Sequence, residues 1–200
     1  SSNDIEYCFA GDLLNQCISS SFGLREINIP FLGIFGACST FIESMLCGSV
    51  FIDGDFATNV ICSASSHFCS AEKQFRFPLE LGNQRPPSSQ WTVTGAGSAV
   101  ISKNGIGPFI THATIGKIVD MGIKDANNMG AAMAPAALNT IKTHLEDFSL
   151  TLDDYDLIVT GDLGALGSRI LKDLTWEKGC DIAKNHVDCG EIIYNVIEDE

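Results

Sequence analysis

One stretch constrains the fold more than any other: Pro30-Phe31-Leu32-Gly33-Ile34-Phe35-Gly36-Ala37-Cys38-Ser39-Thr40-Phe41-Ile42-Glu43. The run from Phe31 to Phe35 is short and apolar, the pattern of a strand covered on both faces. Gly36-Ala37 reads as a tight turn. Thr40 and Glu43 have the S/T-x-x-E spacing of a capping box, which starts a helix here. Cys38 then sits on a strand-to-helix corner, where unpaired N–H groups and the positive end of the helix dipole favour a thiolate. Such a corner suits a cysteine nucleophile or a ligand contact. The plainer alternative is a small residue buried in a crowded turn.

A chain of 200 residues can bury a substantial core, as one large domain or two small ones. With 45% hydrophobic and 18% charged residues it has a globular composition. The net charge of −13 argues against nucleic acid and against unassisted binding to anionic membranes. No apolar run reaches transmembrane length, and no signal peptide is visible. The chain opens Ser-Ser-Asn without methionine and soon enters a strand-like run, as a trimmed domain would. The eight cysteines are scattered, without C-x-x-C spacing, so no structural metal site is expected. Cys8, Cys47 and Cys62 read as reduced, buried thiols. His67 and Cys69 are too few ligands to define a metal site.

Taken in order, Ile5–Ala10 reads as a strand ending at Gly11-Asp12, and Leu13–Ile27 as partly helical with a break at Ser19-Ser20-Ser21. Thr40–Asp53 reads as a helix whose small residues Ser44, Gly48 and Ser49 permit close packing. Asn59–Ser65 is a buried strand, and 66–90 a long functional loop. Trp91–Ile101 is a strand rich in small residues. Asn104-Gly105-Ile106-Gly107-Pro108 is the expected boundary, giving a first half 1–105 and a second half 106–200. The second half reads as a strand 109–119, a loop 120–129, a helix 130–148 with Pro135 in its first turn, a strand 157–160, a helix 166–174 and a last strand 187–195.

Two stretches share a pattern. Asp4–Leu13 and Asp154–Leu163 each run from an acidic start through an apolar strand to small-Gly-Asp-Leu. The halves then repeat one α/β topology, which places ligand sites at strand ends and in the crevice between halves. Charge adds a second pointer. Residues 67–125 hold six basic and four acidic residues, +2 in a chain of net −13. A relatively basic segment in so acidic a protein suits a small anionic ligand.

Gly33–Thr40, Ser65-Ser66-His67, 72–78, 84–87, 90–97, 120–135 and 155–164 together closely resemble the stage V sporulation protein AD family, across nearly the whole chain. The resemblance implies a thiolase-like α/β fold, two similar halves of mixed sheet and helices in layers, here without the first N-terminal strands and the C-terminal end. It also implies a sporulation role, as the member without a membrane span of a spore membrane transport complex that moves dipicolinic acid with calcium. The implied partners are dipicolinate or its calcium chelate, the other proteins of that complex, and a second copy in a homodimer. The implied location is cytoplasmic, peripheral to the spore inner membrane. No cofactor is expected, apart from calcium accompanying the ligand.

Dipicolinate is a flat dianion that needs donors or cations for two carboxylates and a surface for its ring. The expected ligand residues are Cys38 and His67 in the pocket floor, Arg85, Gln90 and Trp91 in the loop wall, and Asp120 and Asn127 at the crevice between halves. The competing reading is an acyltransferase of thiolase or ketoacyl-synthase type with Cys38 as nucleophile, which requires a base and oxyanion donors. Where thiolases carry Asn-Glu-Ala-Phe this chain has Thr160-Gly161-Asp162-Leu163, and no Gly-His-Pro follows. Of the four histidines, His67 is placed on a site loop, His112 on a strand and His144 on a helix face. Cys38 therefore reads as an inherited pocket corner more than an attacking thiol.

Overall fold

The computed structural model describes residues 4–75, 88 and 93–193. They form two units, Ser1–Gln74 with Val93–Thr111, and Phe75–Thr92 with His112–Glu200. Among the described residues from Val93 onward, the first unit runs to Thr111.

The first unit is a four-stranded sheet in the order β2-β1-β3-β4. Its strands are β1 (Tyr7–Asp12), β2 (Phe31–Ile34), β3 (Asn59–Ser66) and β4 (Gly95–Ser102). The first three run parallel and β4 antiparallel. Helix α1 (Ile18–Leu24) links β1 to β2, and α2 (Thr40–Asp53) links β2 back past β1 to β3. Period-two alternation sends Tyr7, Phe9, Val60, Cys62 and Ile101 to the α2 side, where they pack on Met45, Cys47, Phe51 and Ile52. The Phe51 ring meets Tyr7 and Phe9 edge-on at 5.3 and 4.9 Å. Burial pushes the Cys8 and Cys47 thiols up, and Cys62 to about 12, so these three are inert core residues.

Three expectations for this unit change. The β2 strand is an edge strand, and Phe31, Leu32 and Phe35 are exposed. An apolar run of five does not distinguish an edge from a centre. The serines 19–21 do not break α1 but lie inside it. Ser20 Oγ donates to the Gly11 carbonyl and Ser21 Oγ to the Cys17 carbonyl at 2.7 Å, so the hydroxyls are absorbed by local acceptors. The capping box does not form. A 3-10 turn at Ala37–Ser39 precedes α2, and Thr40 Oγ1 donates to the Ala37 carbonyl at 2.7 Å instead of capping the helix.

The second unit has α3 (Met129–Phe148), the parallel pair β5 (Ile158–Thr160) and β6 (His186–Asp188), α4 (Gly164–Glu177) crossing between them, and α5 (Cys189–Ile193). Ala134, Leu163, Leu171 and Ile182 form its core. Residues 109–119, expected as a strand, pair with no strand among the described residues, and Ile115 and Ile118 are exposed. The segment is instead anchored through side chains. Thr114 Oγ1 meets His144 Nδ1 at 2.8 Å, and the His112 ring meets Phe148 edge-on at 4.4 Å. Pro135 lies in the second turn of α3, beyond the first-turn position where its missing N–H would be free of cost. The last strand stops at Asp188 and turns into α5, because Cys189-Gly190-Glu191 continues helically.

Helices α3 and α4 meet at two glycines. A Cβ on Gly167 would stand 2.7 Å from Gly130 Cα, and one on Gly130 would stand 2.5 Å from the Leu163 carbonyl oxygen. Backbone lies on both sides, so neither side can yield. Gly167→Ala is expected to destabilise the second unit by about 1–3 kcal/mol through overpacking. Denaturant unfolding of the variant beside the wild type measures it, and an unchanged midpoint would contradict this packing.

Candidate functional site

The parallel strands β1, β2 and β3 deliver their carboxyl ends to one edge of the first unit. Gly11 pairs with Ile34 and Ala64, and Asp12 with Ser65, so three strand ends share a row. The chain leaves β1 in one direction across the sheet and returns past it in the other. Doubly wound sheets bind ligands beyond the carboxyl ends at such a reversal. Just past this row come Cys38, four residues after Ile34, and His67, immediately after β3.

The corner that carries Cys38 is built from local bonds. Ala37 adopts a left-handed φ of 50°, rare for a residue with a Cβ and typical of a sharp strand-to-helix corner. Ser39 Oγ donates to the Gly36 carbonyl at 2.8 Å, and the Gly36 N–H donates to Thr40 Oγ1 at 3.1 Å. A Cβ on Gly36 would stand 2.2 Å from a Glu43 carboxylate oxygen, so glycine lets Glu43 fold back over the turn. Gly11 lets β1 approach the same corner, since a Cβ there would lie 1.9 Å from the Ile34 oxygen and 2.5 Å from Thr40 Cγ2. Cys38 is exposed on this corner.

His67 stands opposite a buried carboxylate that the sequence did not single out as a site residue. Asp12 is fully buried, and its Oδ2 lies 3.4 Å from His67 Nε2. Burial pushes the Asp12 carboxyl up. The Leu14 amide, the Ser19 hydroxyl and amide, and His67 outweigh it and hold the group below the usual carboxylate range. Asp12 therefore stabilises the fold above the carboxylate range, and this stability is lost as the pH falls through its lowered pKa. The signal was the Gly-Asp strand end. Its link to a histidine 55 residues on needs the register of β1 and β3 to be seen. After His67 a π-helical turn, Phe68–Glu72, brings Ser70 Oγ to 3.4 Å from His67 Nδ1. The buried Glu72 carboxylate accepts from Ser66 and Thr94 hydroxyls at 2.9 and 3.0 Å.

The other expected site residues are placed differently. Asp120 and Asn127 belong to the second unit, on the loop before α3. Asp120 accepts from the Gly122 amide at 2.7 Å, and Asn127 Oδ1 is buried without a hydrogen-bond partner among the described residues. Arg85, Gln90 and Trp91 lie outside the described residues. His144 is a packing residue, with Thr114 on one ring nitrogen and Tyr155 on the other at 2.6 Å. Among the described residues no group of three or more His, Cys, Asp or Glu could hold a metal ion, and no helix is long and apolar enough to cross a membrane.

The second unit has a strand-end cluster of its own. The buried Asp188 carboxylate accepts from the amides of Leu163, Gly164 and Gly190 and from the Thr160 hydroxyl, at 2.8–3.1 Å. Asp162, which matches Asp12 in the sequence repeat, has the opposite electrostatics. Burial and then the neighbouring Asp188 charge push it up to about 7.

The fold built from these units is that of the thiolase and ketosynthase proteins. The chain superposes on the priming β-ketosynthase of the R1128 polyketide pathway with a TM-score of 0.60 at 15% identity, covering 94% of this chain and 61% of that one. For 3-oxoacyl-[acyl-carrier-protein] synthase III from Aquifex aeolicus VF5 the TM-score is 0.58 at 12% identity, over 100% and 68%. For human mitochondrial 3-ketoacyl-CoA thiolase it is 0.56 at 14%, over 92% and 74%. Within that class, the chain belongs to the stage V sporulation protein AD family, whose model matches residues 1–200. It is 49% identical over 192 residues to stage V sporulation protein AD of Bacillus subtilis (strain 168), covering 96% of this chain and 57% of that relative.

The raised Asp162 carboxyl, buried and beside the Asp188 charge, yields a pH-dependent expectation. An unfolded aspartate ionises near pH ~4. The folded Asp162 keeps its proton to about pH 7. Folding therefore loses stability as the pH rises between these values, and the loss is complete above the higher one. Asp162→Asn, which tolerates the φ of 55° at this position, is expected to raise the melting temperature well above neutrality and to leave it unchanged in acid. Thermal scans across pH measure this, and equal shifts at both ends would remove the ionisation of Asp162 as the cause.

Proposed function

We propose that the strand-end edge of the first unit is a ligand pocket for a small anionic aromatic acid, and that this ligand is dipicolinate or its calcium chelate. The observation that supports it best is the convergence of the Asp12–His67 pair and the exposed Cys38 corner beyond three parallel strand ends. Membership of a sporulation protein family adds the context in which such an acid is handled. An acidic protein repels a free dianion at long range, and the neutral chelate avoids that repulsion. Calcium enters as part of the ligand. Arg85 offers a charge-assisted donor to a carboxylate, Trp91 a face for the ring, and Gln90 a further polar contact. The protein works at the cytoplasmic side of the spore inner membrane, held there by membrane proteins of the same transport complex, and as a homodimer.

The competing reading, acyl transfer from Cys38, draws on the exposed thiol at a strained corner and on a fold shared with acyl-transferring enzymes. The two separate in one pair of measurements. Calorimetry with dipicolinate, with and without calcium, is expected to show binding, and mass spectrometry after incubation with acyl-CoA is expected to show no acyl adduct at Cys38. An adduct that disappears in Cys38→Ser, with no dipicolinate binding, would reverse the assignment. Arg85→Ala is expected to weaken dipicolinate binding by about 1.5–3 kcal/mol. Unchanged affinity would remove Arg85 from the site.

A further inference from the structure

In a protein of net charge −13 a carboxylate ligand is favoured where donors or a cation offset the long-range repulsion. The Asp12 carboxylate is fixed on three sides. Its Oδ1 accepts the Leu14 amide at 3.0 Å, and its Oδ2 accepts the Ser19 amide at 3.2 Å and lies 3.4 Å from His67 Nε2. It cannot turn without releasing a backbone N–H. An ionised carboxylate only accepts, so the Nε2 edge, 3.4 Å from it, is the one that suits a proton. That orientation leaves Nδ1 as the outward edge of a partly exposed ring, beside the exposed Ser70 hydroxyl at 3.4 Å.

The geometry points to Asp12 as the positioning residue of His67, turning the ring so that an anionic carboxylate binds at Nδ1 and brings one proton with it. The anion follows from the pocket proposed above, while the ring orientation stands on the distances alone. A bare Nδ1 lone pair repels a carboxylate, whereas a protonated Nδ1 donates to it. The proton comes from solvent, and the ligand oxygen takes the place of the Ser70 hydroxyl. The ring then becomes an imidazolium between two carboxylates, one from Asp12 and one from the ligand. The charged groups of the elements around it are Asp12 at the β1 end, Glu72 and Lys73 in the turns that follow His67, and Glu43 on α2. Helix α1 contributes none. Glu72 is engaged by two hydroxyls, and Glu43 lies over Gly36.

The test combines ring nitrogen NMR of labelled histidine with calorimetric titration by dipicolinate from about pH 6 to about pH 9. In the wild type the neutral His67 ring is expected to carry its proton on Nε2. Affinity is expected to fall by up to about tenfold per pH unit, the slope of one linked proton. The dimethyl ester of dipicolinate, which has no carboxylate, is expected to show no such slope. Asp12→Asn is expected to scramble the tautomer, weaken binding at the acid end at least about tenfold and flatten the slope. His67→Gln flattens the slope with Asp12 intact, and so covers the case in which Asp12→Asn does not fold. A wild-type ring protonated on Nδ1 overturns the positioning role. A wild-type affinity independent of pH overturns the proton-linked anion. Absence of dipicolinate binding at every pH overturns the proposed ligand and the anion step together, and the ring signature then decides the positioning role by itself.

Discussion

The first unit turns on one buried charge. A carboxylate taken out of water is strongly destabilising unless donors surround it. Asp12 meets that demand with the amides of Leu14 and Ser19 and with the His67 ring. Ser19 lies in the first turn of α1, whose own N-cap position, Cys17, contributes no side-chain cap. The carboxylate therefore caps a helix from the end of the preceding strand. One side chain ties β1 to α1 and, across the register of β1 with β3, to the turn that follows β3. The site residue is held by the same group that holds the fold.

The second unit solves the same problem with a different residue. Its crossover helix α4 is capped by Asp188, which arrives from β6 and takes the amides of Leu163 and Gly164. Asp162, at the place in the repeat that Asp12 occupies in the first unit, is left against that charge. A repeated strand–Gly-Asp–helix pattern thus carries two electrostatic outcomes. What decides between them is whether burial is offset: Asp12 has the Leu14 and Ser19 donors and the His67 ring, whereas burial and then the Asp188 charge act together on Asp162.

This difference marks the limit of what residue patterns convey. The corner at Cys38, the buried alternation of β3, and helices α2, α3 and α4 were legible because each depends on contacts close in sequence. The resemblance of spaced motifs to one family carried the fold class, which the superpositions support. Other features were not legible. Alternation over 109–119 looks like a strand, but a strand needs a partner ladder, and this segment is held by Thr114 and His112 against α3 instead. The serines of α1 read as a break because their hydroxyls compete for backbone, yet here Gly11 and Cys17 supply the acceptors. The Asp12–His67 pair spans 55 residues and exists only through sheet register.

An oriented histidine does not by itself distinguish catalysis from binding. A base must present a bare Nδ1 to a proton donor such as a thiol or hydroxyl, whereas an anion receptor must present Nδ1–H. The Asp12 carboxylate lies 3.4 Å from Nε2, which leaves Nδ1 as the edge on which the two readings part. The neighbouring Ser70 hydroxyl can donate to a ligand oxygen without adding negative charge, whereas the Ser66 proton is held by Glu72. Cys38, exposed on its corner, belongs to the attacking reading, so its thiol and the Nδ1 edge of His67 are the two groups on which catalysis and binding make different demands.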